Sequence, residues 1–172
     1  MIIVEKNSKN GLAITVTPNL LLKKWNTGMQ KLDNEEIDKF ISDAKIPIRI
    51  AFIKPNGTPS VISLWFEQIN GKIYCATQKS AKIVSYLQKN PACGFEIAAD
   101  KPPYKGIRGE GTVQILNDKG IDILEILMDK YLEDKESTLS KYLKTNSNTE
   151  VAIEITPQKI YSYDYSKRMK DA

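Results

Sequence analysis

Residues 61–91 read VISLWFEQINGKIYCATQKSAKIVSYLQKNP and predict two strands followed by a short helix. Asn70 and Gly71 form a typical hairpin turn between the two strands. The helix begins within residues 77–82, TQKSAK, which carry hydroxyls and cations but no acid. The N–H groups at such a helix start can bind a phosphate. A plain helix with Ser80 as its cap and lysines on its surface explains the same residues.

Length and composition indicate a single globular domain. The chain has 172 residues, of which 41% are hydrophobic and 27% are charged, as is ordinary for soluble proteins. No stretch approaches the roughly 18 apolar residues of a membrane span. The N-terminus places its apolar residues before its charges, which is the reverse of a secretory signal. We therefore expect a cytoplasmic protein with no membrane partner.

The absence of histidine narrows the possible chemistry. Without histidine, the chain cannot form a Ser-His-Asp triad or a His-ligated zinc or haem site. Cys75 and Cys93 lie in predicted strands without CxxC spacing, so we expect buried thiols and no metal site. Any catalysis must come from other side chains or from a bound cofactor.

Charge is distributed unevenly along the chain. The net charge of +4 is too small to indicate nucleic-acid binding. Residues 45–90, however, contain seven basic residues and one acid, Glu67. That region would attract an anion, whereas the acid-rich residues 118–136 are typical of a solvated helix face.

The remaining patterns predict strands with a few helices between them. We expect an N-terminal extension and helix over residues 1–45, a main domain over 46–165 and a basic tail over 166–172. The longest helical pattern covers residues 119–142 and could break at Ser137. About six short strands joined by hairpins favour an antiparallel barrel over a parallel sheet. The predicted strand segments are 48–54, 60–67, 72–77, 93–98, 107–116, 150–156 and 159–165.

Two further motifs each have a structural and a functional interpretation. Residues 102–111, PPYKGIRGEG, predict a tight loop that leads into a strand. Arg108 and Glu110 could pair on one face of that strand, or Arg108 or Lys105 could bind a ligand. The aromatic pair at residues 65 and 66 indicates either core packing or a flat apolar wall for a planar ring.

Together these motifs resemble the pyridoxamine 5′-phosphate oxidase-like, flavin-binding split-barrel family over about residues 46–164. The matching order is a PNGTP turn, the SVISLWF strand, the IYCAT strand, and SAK opening a helix that ends in KNP. The resemblance implies a mainly β protein with peripheral helices, built on a six-stranded antiparallel split β-barrel. It also implies a homodimer with one flavin, usually FMN, in each of two clefts at the interface.

The resemblance further implies three groups of cofactor-binding residues. The strand expected to run along the isoalloxazine ring consists of Val61, Ile62, Ser63, Leu64, Trp65 and Phe66. The residues expected to hold the ribityl phosphate are Ala76, Thr77, Ser80 and Lys82. The residues expected to approach from the second subunit are Lys105, Gly106 and Arg108. No catalytic side chain is assigned, because the flavin would supply the redox chemistry.

The chain departs from the true oxidases in ways that change the expected reaction. Those enzymes carry basic residues where this chain has Val61 and Phe66, and a C-terminal motif with arginine and histidine that is missing here. We therefore expect an FMN-binding oxidoreductase or flavin reductase with a different small-molecule substrate or electron donor. The alternatives are an F420-dependent reductase, since the lysines would suit that cofactor's acidic tail, and a non-catalytic flavin carrier. The haem-handling branch of the family is disfavoured because it uses a histidine ligand.

Overall fold

The computed structural model describes residues 32–170. The predicted extension up to residue 31 and the last two residues of the predicted tail lie outside this range. The helices are α1 (Asn34–Asp43), α2 (Lys82–Lys89), α3 (Gly120–Tyr131) and α4 (Thr138–Asn146), with a 3-10 turn at Ser147–Thr149. The strands are β1 (Ile48–Ile53), β2 (Pro59–Leu64), β3 (Glu67–Ile69), β4 (Lys72–Gln78), β5 (Ala92–Ala98), β6 (Lys105–Leu116) and β7 (Glu150–Asp164).

All of these strands form one antiparallel sheet in the order β2-β1-β5-β6-β7-β4-β3. The expected mainly β, antiparallel architecture with peripheral helices is therefore confirmed. The described part of the chain has seven strands, so the expected six are not confirmed. The predicted segment 60–67 divides into β2 and β3 at Trp65 and Phe66, while the segments 150–156 and 159–165 form one strand. The sheet is not closed over residues 32–170, since β2 and β3 stand at its two ends.

β7 is one strand, although two were predicted around Pro157. A β-bulge with β6 lies between Glu110 and Gly111, where Gly111 pairs with Pro157 and Glu110 pairs with Lys159. Proline cannot donate to a strand ladder, but a bulge tolerates it. The strand therefore continues past Pro157 to the end of the sheet.

The break between β2 and β3 separates β2 from β4. The β3–β4 pairing ends at Glu67 and Tyr74, and the same register would place Val61 opposite Ser80. Within the described range β2 pairs only with β1 and this part of β4 pairs only with β7. The edge of β2 and the facing edge of β4 therefore both lack a strand partner.

Tyr131 of α3 supports this break. Its hydroxyl donates a hydrogen bond to the Ile46 carbonyl at 3.2 Å and accepts one from the Phe66 N–H at 3.4 Å. The Trp65 ring stacks on the Tyr131 ring with centroids 5.1 Å apart. Burial raises the pKa of the Tyr131 hydroxyl to about 12, so it stays protonated and able to donate.

The main core lies inside the sheet and is covered at one end by α2, which contributes Ile83, Val84 and Leu87. Cys75 and Cys93 are buried free thiols, as predicted. Burial raises the pKa of Cys93 to about 11 and that of Cys75 further, so neither is a nucleophile at neutral pH. No helix within residues 32–170 has the length and apolar character that crossing a membrane requires.

A carboxylate network joins β4 to β7 on the outside of the sheet. Glu154 is 7% exposed and accepts hydrogen bonds from the Lys72 Nζ at 2.6 Å and the Tyr74 hydroxyl at 2.8 Å. Burial alone would raise the pKa of Glu154, but these two hydrogen bonds outweigh it and lower that pKa below its ordinary value of 4.5. Glu154 is therefore harder to protonate in the folded protein than in the unfolded chain.

We predict an acid-dependent contribution to stability from this network. A carboxyl with a lowered pKa in the folded state stabilises the fold above pH 4.5 and loses that stabilisation as the pH falls through its folded-state pKa. The wild type should exceed Glu154→Gln in unfolding free energy by the largest amount at neutral pH, and this difference should shrink on acidification. Urea unfolding at a series of pH values measures it, and a difference that grows toward low pH would contradict the assignment.

Candidate functional site

The turn from β4 into α2, residues 76–82, is the β4–α2 corner. The prediction that Ser80 caps the helix is wrong, because Ala81 is the N-cap and offers no side-chain hydrogen bond. The Ala81 N–H donates to the Gln78 carbonyl at 2.9 Å, and this tight turn moves the helix start one residue past Ser80. The N–H groups of Lys82 and Ile83 have no hydrogen-bond partner within the described range.

The corner is rich in positive charge that is not paired with any described carboxylate. Lys79 and Lys82 are exposed and make no ion pair within residues 32–170. Two other cations of the same basic region do form ion pairs: Lys72 pairs with Glu154, and Arg49 pairs with Asp100. The structure thus reduces the broad basic region to a few available cations, two of which lie at the helix start.

One carboxyl lies beside the corner. Glu150 pairs across the sheet with Gln78, and burial raises its pKa above the ordinary value. The Lys79 N–H donates to the Thr149 carbonyl at 2.7 Å, which fixes the corner against the start of β7. The N–H groups, hydroxyls and lysines of this turn are therefore held on a rigid frame.

The side chains of residues 61–66 point in different directions. Ile62 and Leu64 pack on the core, whereas Val61 and Ser63 are exposed. Of the aromatic pair, Phe66 is wholly buried and Trp65 lies against Tyr131, which favours the core-packing interpretation. A flat ligand along β2 would meet the unpaired backbone edge of the strand rather than the Phe66 ring.

The third group of predicted residues, Lys105, Gly106 and Arg108, lies at the start of β6, which pairs with the far end of β7. Thr77 pairs with Val151 and Arg108 pairs with Tyr161, so about 33 Å of strand separates the two groups at ~3.3 Å per residue. A single chain therefore does not bring the residues of 105–108 to its own β4–α2 corner. Arg108 is exposed and makes no ion pair with any described residue.

Lys105 and Gly106 have structural roles at that end of the sheet. Lys105 lies 3.7 Å from the carboxylate of Asp164. Burial alone would raise the pKa of Asp164, but hydrogen bonds with Ser166 and the Lys105 charge outweigh it and lower the pKa. A Cβ on Gly106 would lie 2.7 Å from the Ile97 carbonyl oxygen and 2.9 Å from the Ala98 Cα, so the backbone of β5 requires glycine at this position.

The face of β2, β1, β5 and β6 that points away from the core is the outer face. Val61, 61% exposed, lies beside Ala51, which lies beside Gly94. The next row runs from Arg49 to Glu96 to Arg108 and alternates in charge. Among the described elements no helix covers these rows, which line a shallow groove of about 520 Å³.

Sequence reasoning missed Tyr131, which holds the break between β2 and β3. Its position in the apolar stripe of α3 indicated only a core residue, and nothing local in the sequence pairs it with Phe66. The fit of its hydroxyl to two backbone groups depends on the packing of α3 across β4. A half-polar side chain at the end of an apolar stripe is the one signal that could have suggested it.

No protein-family model and no curated protein sequence matches the chain. Solved structures do match over most of its length. A putative pyridoxamine 5′-phosphate oxidase from Listeria innocua superposes with a TM-score of 0.58 at 16% identity, covering 74% of this chain and 95% of that one. The chain has the fold of the pyridoxamine 5′-phosphate oxidase-like proteins.

Two further structures share this pyridoxamine 5′-phosphate oxidase-like fold. A conserved hypothetical protein from Mycobacterium tuberculosis gives a TM-score of 0.67 at 20% identity, covering 80% of this chain and 88% of that one. An F420 reductase gives a TM-score of 0.59 at 18% identity, covering 71% of this chain and 94% of that one. The expected likeness to the pyridoxamine 5′-phosphate oxidase-like fold is therefore confirmed.

Proposed function

We propose that this chain is an FMN-binding oxidoreductase or flavin reductase that acts on a small molecule. The observation that carries the proposal is the β4–α2 corner, where a helix start without a side-chain cap meets two exposed lysines that pair with no carboxylate of residues 32–170. Free N–H groups and the helix dipole favour a dianionic phosphate there. The freed Ser80 hydroxyl and the Thr77 hydroxyl at the end of β4 add two donors.

The flavin ring would lie along β2. The edge of β2 that faces β4 has no strand partner within the described range, so its backbone N–H and C=O groups are free to meet the polar edge of the ring. Val61 and Ser63 would flank the ring, and Phe66 would support the strand from the core. FMN supplies the redox chemistry when bound, while the residues named here bind and orient it.

In this proposal two copies of the chain complete each site. Arg108 and its neighbours lie at the start of β6, too far along the sheet to reach the corner of their own chain, so the second subunit would supply them. The outer face suits self-association, because its apolar row is exposed and its arginines and glutamate alternate in charge. Counted as one interrupted strand, β2 and β3 give the six strands of a split barrel.

The deazaflavin F420 is the second candidate cofactor. A protein named F420 reductase shares the fold, and Lys79 and Lys82 would also suit the acidic tail of that cofactor. A carrier without catalysis is the third possibility, since the β4–α2 corner and the β2 edge account for binding alone. The three candidates differ in what binds and in what is then reduced.

Titration of the purified protein with FMN and with F420 tests the proposal. We expect one FMN per chain, tighter binding of FMN than of F420, and reduction of the bound flavin by a nicotinamide donor. Tighter binding of F420 than of FMN would identify the deazaflavin as the cofactor. If FMN binds but no nicotinamide or deazaflavin donor reduces it, the protein is a non-catalytic flavin carrier.

A further inference from the structure

A large cavity lies beside the outer face, at the end of the sheet opposite the β4–α2 corner. It encloses about 770 Å³, within the range of small-molecule sites. We call it the tyrosine cavity. Its walls come from the start of α1, from β1, β5, β6 and β7, and from the loop between β5 and β6. The residues that matter for its chemistry are Arg49, Glu96, Tyr104, Arg108, Tyr161 and Tyr163.

Most charges in the tyrosine cavity already have partners. Arg49 donates to Asp100 at 2.7 Å and lies 3.8 Å from Glu96. Glu96 also accepts a hydrogen bond from the Tyr163 hydroxyl at 3.3 Å. Arg108 makes no ion pair and no side-chain hydrogen bond with any described residue. The four charged side chains of the cavity sum to zero, and the guanidinium of Arg108 is the one that has no partner among the described residues.

Aromatic surface lines the rest of the cavity. Tyr104 and Tyr161 are 43% and 46% exposed, which is high for large aromatic residues. Tyr163 and Tyr165 add two more rings with centroids 5.6 Å apart. Exposed tyrosine rings beside an unpaired guanidinium suit a planar ligand that carries a negative group, because the rings can stack and the arginine can bind the anion through two N–H groups.

The cavity is built on fixed elements. The Leu32 N–H donates to the Ser162 hydroxyl at 2.9 Å, and that hydroxyl donates to the Leu32 carbonyl at 3.3 Å. These bonds attach the start of α1 to β7 and hold one wall in place. The opposite walls are paired strands, in which Glu96 and Arg108 are direct cross-strand neighbours.

We propose that the tyrosine cavity binds a planar aromatic carboxylate, with Arg108 on the carboxylate and Tyr104 and Tyr161 against the ring. The proposal rests on the proposed function only in naming this ligand the substrate, because Arg108 would then lie beside the flavin of the other subunit. The six residues named above all belong to one chain.

Calorimetric titration of the full chain with three matched probes tests the proposal. The probes are 2-naphthoate, the neutral naphthalene-2-carboxamide and the cationic 2-naphthylmethylamine. We expect 2-naphthoate to bind at least tenfold more tightly than either of the others, because only it can use the unpaired guanidinium. Equal binding of the carboxamide, or preference for the amine, would overturn the proposal.

Variants locate the site. Arg108→Gln should weaken 2-naphthoate binding at least tenfold. Lys89→Gln, which removes the same charge at the end of α2 and outside the cavity, should change it less than twofold. Tyr104→Ala should weaken binding and Tyr104→Phe should restore it. Unchanged affinity in Arg108→Gln contradicts the assignment.

A parallel FMN titration separates the two proposals, because Tyr104 is not among the proposed cofactor contacts. If FMN binds and 2-naphthoate does not, the cavity assignment fails and the proposed function stands. If 2-naphthoate binds with the expected variant pattern and FMN does not, the proposed function fails and the cavity remains a binding site.

Discussion

Lys82→Glu should abolish most of the FMN affinity without weakening the fold. A charge-assisted hydrogen bond to a buried or partly buried group contributes about 1.5–3 kcal/mol, and reversing the charge adds repulsion, so we expect the Kd for FMN to rise about 100-fold or more. The fold should gain slightly, because an acid in the first turn of a helix contributes about 0.3–1 kcal/mol. Fluorescence titration of FMN and urea unfolding measure the two effects.

Lys89→Glu is the matched control. It makes the same change of charge at the other end of α2, since Lys89 is the last residue of that helix. Here an acid opposes the helix dipole, so the fold should weaken by a few tenths of a kcal/mol to about 1 kcal/mol, while the FMN affinity should change little. Equal loss of affinity in both variants would mean that general charge, and not the β4–α2 corner, attracts the cofactor.

Phe66→Ala should lower the free energy of unfolding by about 3–5 kcal/mol, as removal of a buried aromatic ring does. Phe66 has no exposed surface, and its ring lies 4.7 Å below the Lys130 ammonium. The variant should also loosen the break between β2 and β3, so FMN binding should weaken in the fraction that remains folded. Chemical unfolding with and without FMN measures both effects.

Phe66→Leu keeps most of the buried apolar volume and should cost about 1 kcal/mol. Comparing the loss of unfolding free energy in Phe66→Ala with that in Phe66→Leu distinguishes a core side chain from a ligand contact. If Phe66→Ala unfolds as the wild type does but loses FMN, the ring contacts the ligand and the core assignment is wrong.

The motifs in residues 61–91 predicted the hairpin turn at Asn70 and Gly71 and the helix that follows, because alternation and turn residues act locally. The capping box of α1 is local too, with Asp33 and Glu36 bonding each other's backbone N–H groups. The prediction failed at Trp65 and Phe66, where one predicted strand became two. That break is stabilised by Tyr131, which is 65 residues away along the chain, so no local pattern could indicate it.

The candidate site shows the same limit. The chemistry of the β4–α2 corner was visible as hydroxyls and lysines, but the cap was placed one residue early because the tight turn at Gln78 and Ala81 has no sequence signature of its own. The basic region looked uniform until the structure paired Arg49 with Asp100 and Lys72 with Glu154. The resemblance had already named Lys82 and Arg108, but which other cations remain available is decided by tertiary contacts, so only the structure could set Arg49 and Lys72 aside.

The most direct measurement is the absorbance spectrum of the purified protein, together with the mass of the small molecule released when it is denatured. The proposed function predicts a yellow protein with the visible bands of an oxidised flavin, and release of FMN in a ratio of one per chain, either as purified or after incubation with FMN. A colourless protein that binds neither added FMN nor F420 would contradict it.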